Sequence, residues 1–165
     1  MYEYRVEVLR VVDGDTVDVD VDLGFSTWLR DQRIRLAGID APESRTKDDM
    51  EKLYGQLSKK FLSEMLKNKE ITLQSHGKGK FGRILGTLLA EGSNVNEEMI
   101  AKHHAVRYDG ESKSSIADAH KENRQKLYQE LYTAPISHHL RQHEDGYAEN
   151  FLNEIVEEVK AAKND

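Results

Sequence analysis

Cysteine is absent from the sequence, which excludes disulfides and thiolate-bound metals. Proline occurs only at Pro42 and Pro135. No apolar run approaches the roughly 20 residues a membrane-spanning helix requires, so no membrane partner is expected. The start, Met1-Tyr2-Glu3-Tyr4-Arg5, lacks a basic region followed by an apolar one. It predicts no signal peptide and an intracellular protein, unless a leader has been removed. Internal repeats and low-complexity segments are missing too. Positive charge is also short: the net charge is -6, which by itself argues against a nucleic-acid partner. The distribution softens that argument. Residues 141–165 hold seven acids and three bases, a net of -4, leaving -2 for the first 140. A cluster of carboxylates awaiting a divalent cation accounts for such a remainder.

What is present suits one domain with a full core and an appendage: 165 residues, 38% hydrophobic and 33% charged. Residues 5–12 read as a strand, and Asp13-Gly14-Asp15-Thr16 as a turn. Val17, Val19 and Val21 then alternate with Asp18, Asp20 and Asp22, the period of a half-buried strand. Residues 28–36 return as a second strand, with Ile34 and Leu36 on one face and Arg33 and Arg35 on the other. A hairpin of these two strands brings Asp15 near Asp40. Helices are expected over 48–67, 96–104 and 115–132. The first carries Leu53, Leu57, Phe61, Met65 and Leu66 on one side and is weakened by Gly55. Asn94 or Asn96 caps the second, and the histidine pair at 103–104 ends it as favourable cations. The third turns Ala119, Leu127 and Leu131 inward. Short strands fall at 70–74 and 84–90, around a glycine-rich basic loop from His76 to Arg83. Pro135 marks a boundary. Beyond it Phe151, Ile155, Val156 and Val159 stripe a charged helix over 147–162, which must pack on the body or on another copy of the chain. The order predicts an α+β fold: a small closed barrel decorated by helices.

One stretch, Arg35-Leu36-Ala37-Gly38-Ile39-Asp40-Ala41-Pro42-Glu43, sets a cation and two carboxylates around a short apolar run. Pro42 fixes its φ near about -65° and pushes Ala41 toward extended geometry. The two acids could share a metal or divide the roles of ligand and base; alternatively the stretch is a strand ending in a polar turn. The motifs DGDT (13–16), RLAGIDAPE (35–43) and KFGR (80–83), with a helix after the second, Val95-Asn96-Glu97 and Tyr108, together resemble the staphylococcal nuclease family over roughly residues 6–132.

That resemblance implies a five-stranded OB-fold barrel with three packed helices over residues 1–134, and leaves 135–165 as a helical extension. It implies a Ca²⁺-dependent phosphodiesterase that cleaves the P–O5′ bond of single-stranded or frayed DNA and RNA and leaves 3′-phosphates. The metal ligands would be Asp15, Asp40 and the Ala41 carbonyl. Glu43 would act on water, and Arg35 and Arg83 on phosphate. Lys80, Phe81 and Tyr108 would contact substrate. The chemistry suits these residue types: guanidiniums bind phosphate oxygens through paired hydrogen bonds, and Ca²⁺ prefers carboxylate and carbonyl oxygen. The pattern departs from the family at Ala41 (usually threonine) and Phe81 (usually tyrosine). Tyr108 falls one position short of simple alignment with the family's second active-site tyrosine. The alternative function is a noncatalytic OB-fold module that binds nucleic acid or protein.

Other motifs carry less. The run from Asp13 starts like an EF-hand loop, but Asp18 stands where glycine is required and Gly24 where glutamate is required. Asp13 is read as a supporting group rather than a ligand. The histidines at 138, 139 and 143 lack a fourth ligand and read as a solvated helix start.

Overall fold

Strand β1 (Tyr2–Asp13) serves two neighbours. The computed structural model describes residues 2–132; the expected helix over 147–162, the Pro135 boundary and the histidines at 138, 139 and 143 lie outside the described residues. The first half of β1, Tyr2 to Val6, pairs antiparallel with β5 (Ile71–Lys78). Its second half pairs antiparallel with β2 (Thr16–Asp22). Register shifts after Val8 and Val11 bend it between the two, as bulges do where a sheet must curl into a barrel. Strand β3 (Trp28–Leu36) returns along β2, and β6 (Ile84–Ala90) returns along β5. Ile34–Leu36 then pair parallel with Ile84–Gly86 and close the ring. The result is the expected five-stranded OB-fold barrel with helices, an α+β architecture.

Two-residue strands complete the frame. Strand β4 (Ile39–Asp40) pairs with β8 (Val106–Arg107), and β7 (Ser93–Asn94) pairs with the end of β6. The helices are α1 (Asp49–Leu66), α2 (Val95–Ala101) and α3 (Ala117–Tyr132). Asp48 caps α1 through the amides of Met50 and Glu51, and Asn94, not Asn96, caps α2 through Glu97. The core joins inward residues of all five long strands, such as Val17, Val19, Ile34, Leu36, Leu73 and Leu88, to Leu62 and Leu66 of α1 and Met99 of α2. Burial of such aliphatic side chains stabilises by about 1.5–3 kcal/mol each.

Three expectations are corrected. Strand β2 is not half-buried: Asp18 and Asp20, 2% and 8% exposed, are buried along with the valines. Arginines explain this, since Arg10 and Arg33 reach Asp18 and Arg30 reaches Asp20, and their stems shield the carboxylates. Strand β5 runs on to Lys78, so His76 to Lys78 belong to the sheet and only the turn at Lys80–Gly82 is loop. His104 is no solvated cation ending a helix. It is buried, stacked on Phe61 with ring centroids 4.4 Å apart, and burial, with a smaller push from His103, lowers its pKa to about 3.

Candidate active site

The turn joining β1 to β2 delivers two carboxylates to one end of the barrel. Asp13 and Asp15 diverge from it. Asp13 Oδ1 accepts from both the amide and the hydroxyl of Ser44, which ties down the loop after β4. Asp15 Oδ2 accepts from the Ala41 amide at 2.9 Å, and Oδ1 from the Thr16 hydroxyl at 2.9 Å. Residues 26 apart in sequence are thus joined directly, as the hairpin requires.

Arg35 sits between the acids. Its Nη1 donates to the carbonyls of Leu36 and Ile39 at 3.0 and 2.9 Å. Its Nη2 lies 3.4 Å from Asp15 Oδ2 and 3.3 Å from Asp40 Oδ1. Asp40 collects two more donors: Lys113 bonds Oδ1, and His120 Nε2 stands 2.9 Å from Oδ2. Lys113 also lies 5.0 Å from the centre of the Tyr108 ring. The Tyr108 amide donates to Gly38, so β8 holds that ring beside β4. The sequence pattern does not single out Lys113 or His120. They approach Asp40 from 73 and 80 residues away, across a serine-rich turn and from the start of α3, and no local spacing signals such a contact.

Helix α1 fits against the acidic loop because it carries glycine there. A Cβ on Gly55 would stand 2.3 Å from the Glu43 carbonyl oxygen and 2.7 Å from the Ser44 nitrogen. Gly14 is equally tight: a Cβ there would fall 2.7 Å from that of Ser58 and 2.9 Å from that of Ala41. The small Ala41 side chain, 3% exposed, belongs to this close approach. Only its amide and carbonyl can serve the site. Asn96 braces the other side: its side chain accepts from Leu88 and donates to Ala37 and Gly86.

The carboxylates differ in the direction their pKa values move. Burial raises Asp15 above the usual range, against the lowering pull of Arg35 and the Ala41 amide. Burial also pushes Asp40 upward, but the bonds and charges of His120 and Lys113 outweigh it and its pKa ends lowered. Glu43 is raised, first by partial burial and then by Asp13 and Asp15. Among the described residues no donor bonds its carboxylate.

The basic loop lies apart from this cluster. Ile84 pairs with Ile34, so the Arg83 backbone stands beside Arg33, two residues from the position opposite Arg35. Arg83 Nε donates to the Lys80 carbonyl, and its guanidinium lies 5.8 Å from the centre of the Phe81 ring. Arg83 and Phe81 line a depression with Arg10, Asp18, Asp31 and Arg33. Of the nine residues singled out by sequence, Asp15, Arg35, Asp40, Ala41, Glu43 and Tyr108 converge, while Lys80, Phe81 and Arg83 stand on the adjoining wall.

The donors fit a hard divalent cation in kind. Two carboxylates and a main-chain carbonyl are oxygen ligands of the type Ca²⁺ takes, and the Lys113 ammonium already brings a cation to Asp40. Three or more acidic or imidazole groups do not gather into a metal cluster among the described residues, so water or substrate oxygen must complete such a shell.

The model of the family described as staphylococcal nuclease homologues matches residues 33–133, which hold Arg35, Asp40, Glu43 and Arg83. The chain belongs to this family. Relatives in it include an uncharacterized endonuclease of Escherichia coli, 37% identical over 103 residues, 62% of this chain and 60% of that protein. A micrococcal nuclease of Shigella flexneri is 28% identical over 138 residues, 78% and 72% of the two chains. A thermonuclease of Staphylococcus hyicus is 30% identical over 107 residues, 64% and 59%. The alignments span about three fifths of the first curated relatives.

Proposed function

We propose that the chain is a Ca²⁺-dependent nuclease that hydrolyses the P–O5′ bond of DNA and RNA, acting on single-stranded or frayed segments. The observation that carries this is the convergence of Asp15, Arg35 and Asp40 beside an unbonded Glu43. Folding alone gives no reason to bury two carboxylates and a guanidinium together next to a third carboxylate with a raised pKa. The names of the relatives point the same way.

Each residue then has a task. Arg35 and Arg83 hold nonbridging phosphate oxygens as negative charge builds there. Glu43, above its usual pKa and open to solvent, takes a proton from the attacking water. The water oxygen bonds to phosphorus, the P–O5′ bond breaks, and the water proton ends on the 5′ oxygen. The products are a 3′-phosphate and a 5′-hydroxyl. A divalent cation held by Asp15, Asp40 and the Ala41 carbonyl supplies charge neutralisation and a more acidic water. Phe81 keeps an aromatic face for a base or sugar, without the hydroxyl of a tyrosine.

The direct test is incubation with labelled single-stranded DNA and RNA in Ca²⁺, with EGTA as control, followed by analysis of the ends. EGTA-sensitive cleavage leaving 3′-phosphate is expected; 5′-phosphate ends would refute the assigned bond. Arg83→Ala should cut kcat by about 10²–10³, the size of effect seen when one donor to a developing oxyanion is removed, while the fold persists. Wild-type turnover in that variant would remove Arg83 from the mechanism. One observation favours a noncatalytic binding module instead: Asp40 is already engaged by Arg35, Lys113 and His120. Tight Ca²⁺-independent binding without cleavage would support that reading.

A further inference from the structure

A row of side chains crosses three strands next to the catalytic cluster without belonging to it. Arg10 of β1 pairs in register with Asp18 of β2, and Asp18 with Arg33 of β3. The closure of β3 on β6 sets Arg83, which the nuclease reading gives to the scissile phosphate, beside Arg33 and so joins the row to that cluster. Asp18 is 2% exposed. It receives Arg10 Nε at 2.7 Å, Arg33 Nε at 2.8 Å and Arg33 Nη2 at 3.1 Å. Its charge is therefore consumed in holding two guanidiniums edge-on. Exposed Asp31 takes Arg10 Nη2 at 2.6 Å. Arg10, Arg33 and Arg83 all line the depression, and Arg10 Nη1, Arg33 Nη1 and both Nη atoms of Arg83 form no hydrogen bond among the described residues.

The rim is unusual. Phe81 is 92% exposed and has φ of 62°, a left-handed conformation that a bulky residue adopts only at some cost. Packing gives no reason for an aromatic ring there. The depression has a volume of about 410 Å³, room for a nucleotide-sized group. Its charges are three guanidiniums against two carboxylates, both already paired.

We propose that this depression is a second subsite for single-stranded nucleic acid, in which Arg10 and Arg33 hold a phosphate removed from the scissile one, beyond the base or sugar already given to Phe81. Arg33 and Arg35 share a face of one strand about 7 Å apart, on the order of one nucleotide step. Backbone phosphates at successive positions can thus meet Arg35 and then Arg33. The subsite rests on the nuclease reading and extends its strand path over the barrel wall. It also explains how an acidic chain can attract a polyanion: the guanidiniums act locally.

The test measures binding of a fluorescent 15-nucleotide single strand in EDTA, at several salt concentrations. The variant is Arg10→Gln/Arg33→Gln. A second variant adds Asp18→Asn, so that no buried carboxylate is stranded and folding is kept. Both should bind about tenfold more weakly at low salt. The slope of log affinity against log salt should fall by about 0.7, the value for one lost phosphate contact on a single strand. A merely structural role would not move that slope. Hydrolysis of a dinucleotide in Ca²⁺, which is too short to reach Arg33, should match wild type. An unchanged slope in the folded triple variant overturns the subsite even if wild type cleaves normally. Absence of cleavage by wild type overturns the nuclease reading, and the slope still reports on the subsite.

Discussion

Asp40 holds a lysine where the proposed mechanism needs a metal. The Lys113 side chain is 62% exposed, so it can swing away without breaking the core. A divalent cation arriving at Asp40 must displace it. Lys113→Met should therefore tighten Ca²⁺ binding, by up to about fivefold, because a partly exposed ion pair contributes at most about 1 kcal/mol. Calorimetric titration reads this directly; equal or weaker binding would show that Lys113 is no competitor. The residues facing Lys113 across the site illustrate what a sequence can carry. Asp15, Arg35, Asp40 and Glu43 were legible because short motifs hold them and one hairpin joins them. Lys113 and His120 were not, because what brings them to Asp40 is a fold-dependent approach from a distant turn and helix. Arg83 was legible as a residue but not in its place, which depends on the parallel register of β3 on β6.

Helix α1 shows how a local rule can mislead about an element. Glycine in a helix is unfavourable by about 1 kcal/mol relative to alanine, and Gly55 duly reads as a weak point. Its reason is the Glu43–Ser44 backbone lying where a Cβ would stand. Propensity alone predicts that Gly55→Ala stabilises. The packing predicts the reverse: the loop bearing Glu43 must shift, activity should fall by at least about tenfold, and the melting temperature should drop. An increase in melting temperature with intact activity would show that the close approach is unimportant. The hairpin of β2 and β3 errs in the other direction. Its alternation correctly placed the valines inward, and the bounds of β3 follow from the turn at Gly24. Period 2 says nothing about what covers the opposite face, so the burial of Asp18 and Asp20 under arginines was invisible. Strands that alternate valine with aspartate read as half-exposed until the partners across the ladder are known.

At the scale of the molecule, barrel closure and buried histidine chemistry set the stability. Closure needs Ile34–Leu36 to meet Ile84–Gly86 across some fifty residues, and no local pattern encodes that pairing; the family motifs made it legible. His104 supplies a pH dependence. Its pKa is lowered from 6.5 to about 3 by burial, so above pH 6.5 it is neutral in both states. Below that value the unfolded chain takes up a proton that the folded chain refuses. Its contribution is lost as pH falls, at about 1.4 kcal/mol per pH unit, until the folded form also protonates near pH 3. His104→Phe retains a ring against Phe61 and should flatten the stability profile between pH 6.5 and 4.5, above the reference carboxylate pKa values. Urea unfolding at pH 7, 6 and 5 checks this; parallel profiles would mean that His104 is protonated in the fold. The central claim concerns the site at the barrel end, and one assay reaches it most directly. Cleavage of a labelled single strand is followed in Ca²⁺ for wild type and for Glu43→Gln, with EGTA added in parallel. The account predicts rapid cleavage by wild type, none in EGTA, and a fall of about 10²-fold or more in the folded variant. Wild-type rates in Glu43→Gln, or no EGTA-sensitive cleavage at any pH tried, would contradict it.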